Sequence, residues 1–124
     1  MGAVLREVII DCNDPARVAE FWGAVLGWTV QGQGDEEVLW MSESGAPFPD
    51  VLLVFVPVPE AKSGKNRIHL DVSPVGCDRD EEVARLETLG ARRVDIGQGE
   101  QSWVVLADPE GNEFCVLGRR ADGH

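Results

Sequence analysis

The local signals along this chain run in the same order twice, and that repetition limits the fold more than any other feature. Residues 4–12 (VLREVIIDC) are rich in β-branched side chains, with Glu7, Ile9 and Asp11 on one face of the expected strand and Val8, Ile10 and Cys12 on the other. A helix is expected over residues 15–26. Asp14 supplies an N-cap, Pro15 suits the first helical position, Val18, Phe21, Trp22 and Val25 make one apolar stripe, and Gly27 is the C-cap. Strands are expected at 28–31, 37–42 and 51–56, with a turn at 32–35 and a proline-rich loop at 44–49. The second half repeats this order: a strand at 66–72, a helix at 78–89 with Val83, Leu86 and Leu89 inward and Gly90 as its cap, then strands at 92–96, 102–107 and 113–117. The intervening polar stretch has no periodicity and reads as a linker. One domain is expected, with module one at about 4–57, the linker at about 58–65 and module two at about 66–118.

Each half therefore reads strand, helix, strand, strand, strand, an α+β pattern. The same order of elements would also fit a single ferredoxin-like sheet. Short matches favour duplication: Val18-Ala19-Glu20-Phe21 against Val83-Ala84-Arg85-Leu86, and Leu26-Gly27 against Leu89-Gly90.

The chemistry-bearing residues are few. Of two histidines, His124 ends the chain and His69 sits in the segment 66–72, where Arg67, His69 and Asp71 alternate with Ile68, Leu70 and Val72. A lone strand histidine is more often a hydrogen-bonded structural residue than a ligand, so this segment alone assigns no role. Cys12, Cys77 and Cys115 lack the spacing of a disulfide framework or a zinc knuckle. The formal charge of −11 opposes binding to nucleic acid or to an anionic membrane surface. No apolar run approaches the roughly 20 residues of a spanning helix, and the first residues lack the build of a signal peptide, so a cytoplasmic protein is expected. Trp22 belongs to the helix stripe and reads as core. Asp78, Asp80, Glu81 and Glu82 read as favourable charge at a helix N-terminus.

Asp14-Pro15 leading into Phe21-Trp22 and Leu26-Gly27-Trp28, the His69 strand, Leu89-Gly90-Ala91, and above all the run from Trp103 through Asp108-Pro109-Glu110-Gly111-Asn112-Glu113-Phe114 resemble the vicinal oxygen chelate superfamily. This group of glyoxalases, extradiol dioxygenases and bleomycin-resistance proteins is matched from about Leu5 to Leu117, most closely by its short glyoxalase-like members. The resemblance implies two βαβββ modules forming a curved mixed sheet with a concave small-molecule cleft, commonly in a homodimer. It also implies metal ligands at Glu7, His69 and Cys115, the last standing where the family carries a glutamate; the fourth-strand ligand has no counterpart in residues 51–56.

Mn²⁺ and Mg²⁺ favour oxygen donors, whereas carboxylate, imidazole and thiolate together suit Zn²⁺. Glu113, two residues before Cys115 and so on its face, is a candidate fourth donor, and Asp11 and Asp71 likewise share the faces of Glu7 and His69. The metals to be considered are Zn, Ni, Mn and Fe, with none assured. Asp11, Trp40, Phe55, Asp71 and Trp103 are the candidate ligand-contacting residues, the aromatics as a stacking wall. The expected function is small-molecule binding through a cleft with a weak or absent metal site, and the acidic surface would suit a cationic ligand. The alternative is a divalent-metal-dependent lyase, isomerase or dioxygenase acting on adjacent oxygens.

Overall fold

The computed structural model describes residues 2–33, 37–47 and 49–122. The chain divides into two compact units, Met1–Ala61 and Lys62–His124. Among the described residues each has its own four-stranded mixed sheet and one helix, so the fold is α+β with two βαβββ modules rather than a single ferredoxin-like sheet.

In the first unit, β1 (Glu7–Cys12) leads through α1 (Pro15–Leu26) to β2 (Gln31–Gln33), β3 (Val38–Met41) and β4 (Leu52–Pro57). The sheet order is β1-β4-β3-β2, with β1 parallel to β4 and the other pairs antiparallel. The alternation in β1 is as read: Glu7, Ile9 and Asp11 are exposed, Val8 and Ile10 half-buried, Cys12 buried. The Asp14 carboxylate accepts the Arg17 N–H at 3.3 Å, and Gly27, at φ 71°, takes the left-handed conformation that lets its N–H reach the Gly23 carbonyl at 2.8 Å. Between these caps α1 buries Val18, Phe21, Trp22 and Val25 and packs on β1, β3 and β4. Each such side chain contributes about 1.5–3 kcal/mol through burial. Phe21 and Trp22 also meet edge to face at 5.4 Å.

β2 begins three residues later than expected because the Trp28 N–H is engaged by the Gly23 carbonyl at 3.1 Å, still in the exit of α1. Gly32 and Gln33, expected in a turn, belong to β2. Gly34 and Asp35 of that turn, Phe48 of the proline-rich loop and His124 lie outside the described residues. The linker is tied down at its start: the Asn13 amide donates to the carbonyls of Val58 and Glu60, each at 2.9 Å.

The second unit comprises β5 (Leu70–Val72), α2 (Arg79–Thr88), β6 (Arg92–Arg93), β7 (Val104–Ala107) and β8 (Glu113–Val116), in sheet order β5-β8-β7-β6. At the start of α2, Asp78 accepts the Glu81 N–H while the Glu81 carboxylate reaches back to the Asp78 N–H, a complete capping box. Glu82 is buried rather than merely placed at the helix start, held by Arg85 at 2.9 and 3.0 Å. Leu89, still right-handed, caps the end, and Gly90 follows it at φ 119° instead of being the cap itself. Val83 and Leu86 are buried inward, α2 packs on β8, and Leu106, Phe114 and Val116 complete the buried set.

The strands of this unit are shorter than their sequence pattern. β6 stops at Arg93 because the Ile96 and Gly97 N–H groups turn to the Gln98 and Asp95 side chains, at 2.9 and 2.7 Å. β5 begins only at Leu70, with the Asn66 N–H taken by the Glu113 carboxylate at 2.8 Å and Ile68 80% exposed. Among the described residues, no helix is long and apolar enough to cross a membrane.

Candidate functional site

The sheet of the second unit brings three different donor types together. Parallel pairing of β5 with β8 sets Asp71 opposite Cys115, and antiparallel pairing of β7 with β8 sets Val105 opposite the same cysteine, giving one row across three strands. His69 precedes β5 by one residue and lies two positions from Asp71, so it shares that face. Its Nε2 approaches Asp71 Oδ1 at 3.2 Å. One ligand atom from each of His69, Asp71 and Cys115 falls within 4.8 Å of the others. The two polar members are exposed while Cys115 is buried. Burial pushes the Cys115 thiol up, and the charge and hydrogen bonding of Asp71 push it the same way, against a smaller opposing effect of Lys65. Without a cation to replace its proton, Cys115 is a neutral thiol near neutral pH and a poor nucleophile.

Glu113 is occupied elsewhere. One carboxylate oxygen accepts the Asn66 N–H at 2.8 Å and the other the Lys62 ammonium at 3.0 Å; Lys62 also donates to the Gly64 carbonyl. Burial raises the Glu113 carboxyl, but these donors outweigh it and hold the group below its usual range. Glu113 thus fastens residues 62–66 against the start of β8, and with them the approach to His69. Glu7 and Asp11 are exposed on β1 of the first unit, Trp40 is half-buried in β3, and Phe55 in β4 has no exposed surface.

Beside β7 the second unit has an open recess of about 520 Å³, lined among others by Arg79, Arg93, Val94, Gln98, Trp103 and Val105. That volume is in the range of small-molecule pockets. Trp103 is 38% exposed there. The Arg79 side chain shapes one wall, donating to the Ser102 carbonyl at 2.9 Å and to Asp80 at 2.9 and 3.0 Å. Val105 lines the recess and is the register partner of Cys115, so the recess lies against the strand next to the one that carries Cys115. Of these wall residues sequence reasoning had singled out only Trp103. Arg79, Arg93 and Gln98 come from a helix start, an edge strand and a loop, which share no pattern in the chain.

The donor set tests the metal implied by the resemblance. For a tetrahedral ion with N and O donors at about 2.0–2.2 Å, neighbouring donor atoms stand about 3.3–3.6 Å apart. The 3.2 Å between His69 and Asp71 is close to such an edge without rearrangement. Imidazole, carboxylate and thiolate fit a borderline or soft divalent ion, and a single free carboxylate with no neutral oxygen donors does not fit Mg²⁺ or Mn²⁺.

The sequence profile of the glyoxalase-like domain matches residues 7–117. No curated protein sequence matches this chain. Among solved structures, a glyoxalase/bleomycin resistance protein/dioxygenase family enzyme from Burkholderia phytofirmans is 18% identical, covering 92% of this chain and 97% of its own, with a TM-score of 0.68. The fosfomycin resistance protein FosX from Listeria monocytogenes is 12% identical over 98% of this chain and 95% of its own, with a TM-score of 0.69. The trypanothione-dependent glyoxalase I of Leishmania major is 15% identical over 94% and 87%, with a TM-score of 0.61. At these identities the structural matches establish a shared fold.

Proposed function

Because the chain belongs to the glyoxalase-like domain family, within the vicinal oxygen chelate superfamily, we propose that it is a small-molecule-binding member whose second unit takes a planar aromatic ligand without needing Mg²⁺ or Mn²⁺. The observation that carries this reading is the recess beside β7, with Trp103 for stacking, Val94 and Val105 as apolar wall, and Arg93 and Gln98 as polar contacts. Arg93, 3.9 Å from Glu87, and Gln98 are the wall's donors toward a ligand carboxylate or phenolic oxygen, while Arg79 is held by Asp80 and the Ser102 carbonyl and Glu100 lines the same recess.

The test is a thermal-shift screen of small aromatic acids and aromatic amines in the presence of a chelator. Aromatic acids are expected to raise the melting temperature, since a ligand at a hundredfold excess over Kd adds about 2.7 kcal/mol, and Trp103→Ala and Arg93→Ala should each remove most of that rise. Stabilisation only after Mn²⁺ is added, or by the amines alone, would overturn the reading.

A second reading, a metal-dependent lyase, isomerase or dioxygenase, is favoured by the convergence of His69, Asp71 and Cys115. A cation there would supply Lewis-acid polarisation of adjacent substrate oxygens. In that reading this chain's own part is to hold the substrate ring in the neighbouring recess and to keep His69 in place through the Glu113 clasp on residues 62–66.

A further inference from the structure

We infer that Gly118 is a positioning residue of the recess: with the C-terminal segment 117–122 pinned around it, it fixes where the Ser102–Trp103 wall stands and so sets which ligands the recess accepts. The inference rests on the reading of the recess as the ligand site, and adds the part of the chain that controls its shape. Ser102 and Trp103 are exposed and precede β7, which begins only at Val104, so contacts outside the core and the ladder decide their placement. The register that sets Val104 opposite Val116 would next set Ser102 opposite Gly118. The ladder stops short of that pair, and the Ser102 carbonyl oxygen lies 2.8 Å from where a Cβ on residue 118 would stand, with Ser102 Cβ at 3.5 Å. A glycine is what admits a neighbouring backbone this close. The same oxygen accepts the guanidinium of Arg79, the first residue of α2, at 2.9 Å. The carbonyl is thus held between the start of α2 and the end of β8, and Trp103 follows it by one peptide.

The chain around Gly118 is the less yielding partner. The Leu117 N–H donates to the Val72 carbonyl at 2.8 Å, and the Ala121 N–H donates at 2.8 Å to that of Pro74, whose side chain is fully buried. The Asp122 carboxylate accepts the Gly76 N–H at 3.2 Å, and the Arg120 guanidinium donates to both of its oxygens at 2.9 and 2.8 Å. Residue 118 is therefore fixed from both ends. The wall it meets borders open space, because Ser102, Leu117, Gly118 and Arg119 line a second opening of about 490 Å³. A side chain at 118 displaces the Ser102 carbonyl, and with it Arg79 and Trp103, which both line the recess. The Gly118 backbone is not left-handed, so alanine suits its conformation and the effect comes from the clash alone.

The experiment uses the full chain labelled with fluorotryptophan, which gives a fluorine resonance for each of the four tryptophans, that of Trp103 being assigned by Trp103→Phe. In ligand-free protein, Gly118→Ala and Arg79→Ala are each expected to shift the Trp103 resonance. Gly32→Ala, where a Cβ meets nothing within 4 Å, should leave it in place. Titration with naphthoate in excess chelator then reads affinity. Gly118→Ala should weaken binding about tenfold, the scale of one misplaced hydrogen bond to a charged group, at a melting temperature close to that of the wild type. In an Arg79→Ala background the same substitution should lose most of its effect, the non-additivity of residues that share one partner. A merely structural role would lower the melting temperature and show no such coupling. Circular dichroism identifies any variant that has failed to fold, and Arg79→Ala reaches the same carbonyl from α2 if Gly118→Ala does so. A Trp103 resonance unmoved in folded Gly118→Ala, or full additivity of the two substitutions, would overturn the inference. No saturable binding by the wild-type chain would overturn the recess reading instead, and the ligand-free resonances would still decide whether Gly118 places the wall.

Discussion

Asp108→Ala is expected to lower the unfolding free energy by about 3 kcal/mol, the largest loss of any single polar substitution proposed for this chain. Asp108 has no exposed surface. One carboxylate oxygen accepts the Glu110 N–H and the Asn112 N–H, both at 2.9 Å, and the Asn112 side-chain amide reaches both oxygens, at 3.0 and 3.2 Å. The backbone closes the same turn, with Asp108 N–H to Asn112 O and Gly111 N–H to Asp108 O, each at 2.9 Å. Alanine leaves two backbone donors and one amide to find water, and hydrogen bonds to a charged group are worth about 1.5–3 kcal/mol. Half-burial of Glu110 and Asn112 lets solvent recover part of that, which keeps the sum near 3. Asp108→Asn retains one acceptor oxygen and should lose about half as much. Urea unfolding reads both as a shift in midpoint at constant slope. An Asp108→Ala midpoint unchanged from wild type would mean that the turn does not hold the β7–β8 hairpin. Because this hairpin sets Val105 against Cys115, the variant should also weaken ligand binding in the recess.

Cys115→Glu is expected to tighten Mn²⁺ binding by about 10–100-fold. The substitution puts an oxygen donor beside His69 and Asp71, so the set becomes one imidazole and two carboxylates, which suits Mn²⁺ far better than a thiol does. A stability cost is also expected. Cys115 is 5% exposed, and the longer side chain must push its carboxylate out toward the Asp71 side, costing about 1–3 kcal/mol. Mn²⁺ bound to the variant is read by electron paramagnetic resonance, as loss of the free-ion signal at fixed protein concentration. Equal Mn²⁺ binding by the variant and the wild type would show that the thiol is not what excludes hard ions.

Elements bounded by strong punctuation could be read to the residue, and those bounded by distant partners could not. α1 runs Pro15–Leu26 as expected because Asp14, Pro15 and Gly27 fix both ends by local chemistry. β5 starts late for a different reason: the Asn66 N–H goes to Glu113, which is 47 residues away in the chain. The alternation that put His69 and Asp71 on one face held at the level of side chains, although the ladder covers only Leu70–Val72. Cys115 could be located from its distance to the DPEGN turn. The diversion of Glu113 could not, because its partner Lys62 lies in a stretch that carries no periodic signal. The recess was equally hidden, since its wall joins α2, β6 and the 98–103 loop only after folding.

The central claim, ligand binding beside β7 without a hard metal ion, is tested most directly by amide-resolved nuclear magnetic resonance. Aromatic acids are titrated into the uniformly labelled chain in excess chelator. The account predicts saturable shifts concentrated at Arg93, Val94, Gln98, Trp103 and Val105, extending to Cys115 and not to α1 of the first unit. Shifts absent under chelation and appearing only when Mn²⁺ or Mg²⁺ is restored, or saturable shifts away from this recess, would contradict it.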